Sequence, residues 1–123
     1  MIHHVALEVG PADMAAESDF WLAVGFEPVS PAEALGEGFS WFERDGSQIH
    51  LMSTGVPSAP PERGHVAVVA SDFGAALERL ESGGFTVNKS RMLWGARRAK
   101  AKSPAGHVVE LMEFPPSPAM VGP

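Results

Sequence analysis

The sequence contains no cysteine and no tyrosine. Without cysteine, the chain has no disulfide framework, no thiolate metal site and no cysteine nucleophile. Any bound metal must therefore be held by imidazole and carboxylate groups. The lack of tyrosine removes one common general acid from the candidate catalytic groups.

Basic side chains and long apolar stretches are also scarce. Nine Lys and Arg residues against 15 Asp and Glu residues give a net charge of −6. This balance argues against nonspecific nucleic-acid binding, which depends on a basic surface. No apolar run approaches the roughly 20 residues that span a bilayer, so we expect no membrane partner. No basic region precedes an apolar stretch at the start, so we expect a cytoplasmic protein without a secretory signal.

The chain has the length and composition of one globular domain. It has 123 residues, of which 45% are hydrophobic, enough to form a buried core. We therefore expect a single domain over residues 1–123.

A repeat organises this domain into two halves. The pattern of apolar residues and turn signals in the first half predicts a strand at 2–9, a helix at 12–24 and strands at 26–29, 39–43 and 48–52. The second half repeats the order, with a strand at 65–70, a helix at 73–82 and strands at 85–89, 98–102 and 108–113. Each half is thus predicted to be a βαβββ module, the first over residues 1–53 and the second over 64–114. A Pro-rich linker at 54–63 separates the modules, and an irregular tail is predicted at 115–123.

Four metal-ligating residue types occupy equivalent positions in the two halves. His65 follows His4 by 61 residues, and Glu110 follows His50 by 60. Each pair therefore falls on the same strand of its module, the first strand for His4 and His65 and the fourth for His50 and Glu110. This spacing makes the four residues candidate ligands of one site, because they converge if the modules pair.

Several segments in this order resemble the vicinal oxygen chelate superfamily, which includes glyoxalase I, extradiol dioxygenases, methylmalonyl-CoA epimerase and the fosfomycin and bleomycin resistance proteins. The segments are HHVALEV, FWLAVGF, GHVAVVA and SPAGHVVELMEF, and the resemblance covers nearly all of residues 1–114. It implies an α+β fold in which two βαβββ modules form a curved eight-stranded mixed sheet around a metal site.

The resemblance also implies the ligands, which are His4, His50, His65 and Glu110. Imidazole and carboxylate suit Zn, Ni, Co, Mn or Fe, so we expect one such divalent ion per site. His3 is adjacent to His4, and His107 lies three residues before Glu110. Because strand side chains alternate, we expect both to point to the opposite face and not to bind the metal.

The implied function is that of a metal-dependent lyase, isomerase or transferase acting on a small molecule that chelates the metal through neighbouring oxygens. Glu110 is also a candidate acid or base. Glyoxalase I normally has Glu where His50 stands and Arg where Glu8 stands, so these residues depart from its pattern. The alternatives are a metal-free binding protein of the bleomycin-resistance type, a fosfomycin-resistance-like transferase and an extradiol dioxygenase.

Four further residues are candidate contacts for the substrate, namely Trp41, Trp94, Arg98 and Lys100. Trp41 lies on a predicted strand, where a core position is an equally good interpretation. Trp94 precedes the seventh strand and is a candidate lid residue. The basic stretch that includes Arg98 and Lys100 either binds an anionic substrate or forms a solvated strand edge. Relatives of this length are commonly homodimers, so the resemblance implies a homodimer as well.

Overall fold

The computed structural model describes residues 1–118, which divide into two compact units. Unit 1 is Met1–Ala59, and unit 2 comprises the described residues from Pro60 onward. Residues 119–123 of the predicted irregular tail, 115–123, lie outside the described residues.

Unit 1 is a four-stranded mixed sheet with one α-helix. Its elements are β1 (His4–Val9), a 3₁₀ turn (Pro11–Asp13), α1 (Met14–Val24), β2 (Glu27–Val29), a second 3₁₀ turn (Glu33–Leu35), β3 (Phe39–Arg44) and β4 (Ser47–Ser53). The strands lie in the order β1-β4-β3-β2, and β1 pairs with β4 in parallel while the other pairs are antiparallel.

Unit 2 repeats this arrangement. Its elements are β5 (Val66–Val69), α2 (Phe73–Ser82), β6 (Thr86–Ser90), β7 (Arg98–Lys102) and β8 (Val108–Met112). The strand order is β5-β8-β7-β6, with β5 and β8 parallel. The prediction of an α+β fold made of two βαβββ modules is confirmed, and the eight strands form two sheets of four.

A two-residue turn sets the register of the β3–β4 hairpin. Asp45 and Gly46 both have positive φ angles, 50° and 83°, as a type I′ turn requires. Gly meets this requirement without steric cost, and Asp is among the residues that tolerate it. The turn places Trp41 opposite His50 on the neighbouring strand.

The helices end and pack as their sequences dictate. In α1 the residues Phe20, Trp21 and Val24 are fully buried, and the helix ends at Gly25, which has a φ of 121°. The buried residues of α2 are spaced at three- and four-residue intervals, as expected for a helix with one apolar face; they are Phe73, Ala76, Leu77 and Leu80. Neither helix within residues 1–118 has the length and apolar character needed to cross a membrane.

The strands complete each core from alternate positions. In β4, Ile49 and Leu51 are buried, and in β8, Val109 and Leu111 are buried. Since side chains alternate along a strand, the residues between them project from the opposite face of the sheet. That opposite face carries the candidate ligands His50 and Glu110.

Replacing Leu51 with Ala should destabilise the protein strongly. Leu51 is fully buried, so Leu51→Ala should cost about 2–5 kcal/mol of unfolding free energy through lost transfer energy and the cavity left behind. The matched control is Leu22→Ala on α1, where the side chain is 41% exposed; this change should cost less than about 1 kcal/mol, because Ala is as good a helix former as Leu. Denaturant titration followed by circular dichroism measures both, and equal losses would contradict the assigned core.

Candidate functional site

In unit 1 the two candidate ligands lie on the same face of the sheet. The parallel register places Ala6 opposite His50, and His4 lies two residues before Ala6, so His4 and His50 are diagonal neighbours. Their imidazole rings stack with centroids 4.0 Å apart and an interplanar angle of 12°. The structure therefore brings these two predicted residues together.

Trp41 lies against the same imidazole from the other neighbouring strand. Its ring is 4.0 Å from the His50 ring, with an interplanar angle of 3°. His4 on β1, His50 on β4 and Trp41 on β3 thus form a stack of three rings across the sheet, and Trp41 is half-buried. Such stacking holds the plane of the central imidazole.

The prediction that His3 points away from His4 is wrong. The Nδ1 atoms of His3 and His4 are 3.0 Å apart, and the His3 ring lies 6.3 Å from that of His50. β1 begins at His4, so His3 precedes the strand, and the alternation of strand side chains does not apply to it.

His50 is held as a neutral imidazole. It is only 7% exposed, and its pKa is lowered first by desolvation and then by the neighbouring charges of His4 and His3. A neutral imidazole retains a lone pair for a metal or a hydrogen-bond donor. The stacked rings of His4 and His50 lie in nearly parallel planes, so both can bind one ion only if one of the rings turns.

Sequence reasoning missed two side chains near His50, namely Gln48, which contacts it directly, and Glu43, which contacts Gln48. Gln48 Oε1 lies 2.7 Å from His50 Nε2, and Gln48 Nε2 donates to Glu43 Oε1 at 2.9 Å. A signal for both was present, because the two-residue turn at Asp45-Gly46 fixes the register that pairs Glu43 with Gln48. Gln48 also lies two residues before His50 on β4, hence on the same face.

In unit 2 the other two candidate ligands, His65 and Glu110, are also diagonal neighbours. Ala67 is opposite Glu110, and His65 lies two residues before Ala67, immediately before β5. His65 Nε2 is 3.3 Å from Glu110 Oε1, and His65 Nδ1 is 2.9 Å from the carbonyl oxygen of Arg63. Because a carbonyl only accepts, Nδ1 carries a proton, and Nε2 faces the carboxylate.

The carboxylate of Glu110 is also bound by Arg98, which sequence reasoning placed among the substrate contacts. Arg98 Nε donates to Oε2 at 3.2 Å and Nη2 donates to Oε1 at 3.3 Å. A third donor, Nη1, binds the carbonyl oxygen of Arg91 at 2.9 Å. Both side chains of the Arg98–Glu110 pair are largely buried, at 11% and 8% exposed.

Trp94 and Lys100 lie on either side of Arg98 in the sequence. The Arg98 guanidinium lies 5.2 Å from the Trp94 ring, and Trp94 Nε1 donates to the carbonyl oxygen of Phe114 at 2.8 Å. Lys100 is directly opposite Glu110 on β7 and is exposed. Trp94 is thus anchored to the end of β8, whereas the ammonium group of Lys100 reaches solvent.

A second ion pair is exposed and structural. Arg97 Nη2 donates to Glu113 Oε2 at 2.8 Å. This side-chain hydrogen bond is the main cause that holds the pKa of Glu113 below its usual value and raises the pKa of Arg97. The guanidinium also lies 5.1 Å from the Phe73 ring, so the pair joins the end of β8 to the start of α2.

The four candidate ligands have side chains that suit a divalent metal, although each unit contains only two of them. Three imidazoles and one carboxylate form a ligand set that Zn and its neighbours accept. The backbone carbonyl that orients His65 is a common partner of metal-binding histidines. Within residues 1–118, no group of three or more such side chains is arranged to hold an ion.

Comparison with known proteins identifies the family. The model of the Glyoxalase/Bleomycin resistance protein/Dioxygenase superfamily matches residues 1–111. No curated protein gives a significant match.

Solved structures show the same fold at low sequence identity. A glyoxalase family protein from Bacillus anthracis is 22% identical, with a TM-score of 0.77, over 91% of this chain and 93% of that one. A lactoylglutathione lyase from Agrobacterium tumefaciens is 20% identical, with a TM-score of 0.67, over 91% and 92%. The fosfomycin resistance protein FosX from Mesorhizobium loti is 16% identical, with a TM-score of 0.71, over 94% and 92%. At these identities the structures establish the fold, and the match over residues 1–111 establishes that the chain belongs to the Glyoxalase/Bleomycin resistance protein/Dioxygenase superfamily.

Proposed function

We propose that this chain is a divalent-metal-dependent enzyme of the lyase, isomerase or transferase type. Its substrate is a small molecule that presents two neighbouring oxygens, and its metal ligands are His4, His50, His65 and Glu110. The superfamily membership and the enzymes among the structural neighbours support this proposal. The observation that carries it is the geometry of His65 and Glu110.

The separation of His65 and Glu110 supports their proposed role as two ligands of one cation. With Nδ1 donating to the carbonyl of Arg63, an uncharged ring would have its lone pair on Nε2, which faces a carboxylate oxygen at 3.3 Å. Two lone pairs in this position repel each other unless a proton or a metal cation lies between them. Donor atoms about 2.1 Å from one ion at a tetrahedral angle are about 3.4 Å apart, which matches the observed separation.

The chain's own residues supply binding and orientation around this pair. Arg98 restrains the Glu110 carboxylate through two hydrogen bonds, and the exposed Lys100 opposite Glu110 is available to an anionic oxygen of the substrate. When bound, a divalent ion would act as a Lewis acid for an oxyanion formed on the substrate. Glu110 is also the candidate acid or base, because its carboxylate lies 3.3 Å from His65 Nε2 in the proposed ligand set.

A metal-free binding protein is the second candidate, and a specific contact favours it. The guanidinium of Arg98 already balances the charge of Glu110 and occupies both carboxylate oxygens. A buried carboxylate with such a partner needs no metal for its stability. On this alternative, the same side chains bind a drug-like ligand without chemistry.

Metal content separates the two candidates. Protein purified without chelators should contain about one Zn, Ni, Co, Mn or Fe ion per chain, as expected for a site with three or four protein ligands. His50→Ala and Glu110→Ala should each weaken metal affinity by about tenfold or more, whereas His107→Ala, which removes an imidazole outside the proposed set, should not. Elemental analysis and metal titration measure these quantities. Protein that stays empty after soaking with all four of Zn, Ni, Co and Mn would contradict the enzyme proposal and favour the binding protein.

The proposed function requires His50 to be neutral, which predicts a pH dependence of stability. Because folding lowers the pKa of His50, the unfolded chain binds the proton more tightly than the folded one. The contribution of neutral His50 to the free energy of unfolding is therefore complete above its pKa in the unfolded chain, about 6.5. It is lost as the pH falls through the lower pKa of His50 in the folded protein. Denaturant titration of chelator-treated protein between pH 8 and about pH 5 should show a steeper loss for the parent than for His50→Gln. Equal slopes would contradict the burial of an uncharged His50.

We further propose a homodimer that carries two metal sites. Each unit supplies only two of the four proposed ligands, and β1 and β5 each lie at an edge of their own sheet, where strands invite pairing. Sedimentation at micromolar concentration should give twice the chain mass of 13.0 kDa.

Mixing variants tests whether two chains share a site. His50→Ala and Glu110→Ala chains, mixed and allowed to exchange, should regain roughly a quarter of the sites if each site takes one unit from each chain of a symmetric dimer. The control mixture of His4→Ala and His50→Ala should regain none, since both changes lie in unit 1. No recovery in the first mixture, despite subunit exchange, would show that one chain builds its own site.

A further inference from the structure

The side chains around His50 form an ordered series of hydrogen bonds. Glu43, on β3, accepts from the Nε2 of Gln48 at 2.9 Å, and Gln48 Oε1 lies 2.7 Å from His50 Nε2. We propose that Glu43 and Gln48 are positioning residues that fix the proton of His50 on Nε2 and so present Nδ1 as the nitrogen that binds metal or substrate.

The direction of the series follows from the groups at its ends. A carboxylate has no proton to donate, so the Gln48 amide must turn its NH₂ group toward Glu43. The amide oxygen then faces His50, and only an N–H can pair with it at 2.7 Å. In a neutral imidazole the other nitrogen, Nδ1, must carry the lone pair. The proton position on His50 is thus set by a carboxylate that does not touch it.

The ring stack supports this assignment by restraining the imidazole. Trp41 and His4 lie on the two faces of the His50 ring, each with its centroid 4.0 Å away. Stacking fixes the plane of the ring, and the hydrogen bond to Gln48 fixes its direction within that plane. A ligand of His50 must therefore approach in this plane on the Nδ1 side.

The consequence for affinity rests on the proposed function, in which His50 is a metal ligand. Groups that fix the tautomer of a metal-binding histidine typically change metal affinity by about 10- to 100-fold when removed. Glu43 and Gln48 are polar partners of this kind. Their effect on the tautomer itself, however, does not depend on any metal.

The first test measures the tautomer in the metal-free full-length protein. Long-range proton–nitrogen correlation spectra of ¹⁵N-labelled protein report which ring nitrogen carries the proton, and His50→Gln assigns the signals of His50. The parent should show the proton on Nε2. Glu43→Gln frees the Gln48 amide to turn its NH₂ group toward His50, and it should shift the population toward a proton on Nδ1. A neutral histidine side chain in water itself prefers the proton on Nε2, so the change caused by Glu43→Gln is the diagnostic result.

Two further variants make the test specific. The double variant Glu43→Gln/Gln48→Glu reverses the donor and acceptor between these positions and keeps an acceptor facing Nε2, so it should restore the parent tautomer. Glu27→Gln is the matched control, because Glu27 is exposed and lies opposite Glu43 on β2. It removes the same charge without touching Gln48, and should leave the spectrum of His50 unchanged.

Zinc titration of the same variants supplies an independent readout. Glu43→Gln should weaken zinc binding by about 10- to 100-fold, and the double variant should recover it. If Glu43→Gln and Gln48→Leu both leave the tautomer of His50 as in the parent, the positioning role is overturned, whatever the zinc affinity. If the tautomer responds as expected but the parent binds no metal, the positioning role stands and the metal-dependent function fails.

Discussion

The parallel pairing of the first and fourth strands of each unit is the constraint on which the candidate site depends. It brings residues more than 40 positions apart in the chain onto neighbouring strands, with Ala6 opposite His50 and Ala67 opposite Glu110. Strand side chains alternate with a period of two, so His4 reaches the same face as His50. His65 lies immediately before β5 and reaches Glu110 directly, with its Nε2 3.3 Å from Oε1. A shift of either register by one residue would move one member of a pair into the core.

Much of the fold could be predicted from the sequence, because the local signals agree with the global arrangement. The alternation of apolar residues gives the strands, and the glycine that ends α1 marks its boundary. The turn at Asp45-Gly46 gives the register of β3 and β4 as well as their existence. With that register the stacking of Trp41 on His50 could also have been predicted, since cross-strand partners are the closest neighbours on a sheet.

The contacts that could not be predicted depend on side-chain rotamers and on the exact start of a strand. The strand β1 begins at His4, two residues later than predicted, so His3 lies outside it and contacts His4. No periodicity applies before a strand starts. Arg98 lies opposite Met112 in the register, yet it reaches diagonally to Glu110. Which of several carboxylates a long side chain binds is decided by local packing, and the basic stretch alone gave no signal for this choice.

Each unit buries one polar side chain at the equivalent position of its fourth strand, and the two side chains have different hydrogen-bond partners. His50 and Glu110 occupy equivalent positions and are similarly buried, at 7% and 6% exposed, and leaving either unsatisfied would cost about 1–3 kcal/mol or more. His50 is neutral and needs only one acceptor, which Gln48 provides, so Nδ1 lies outside that hydrogen bond. Glu110 is balanced by Arg98 through hydrogen bonds of 3.2 and 3.3 Å, longer than the single side-chain bond of 2.8 Å in the exposed pair Arg97–Glu113. A ligand at Glu110 must therefore compete with a guanidinium that is already hydrogen-bonded there, whereas a ligand at His50 Nδ1 leaves the hydrogen bond to Gln48 in place.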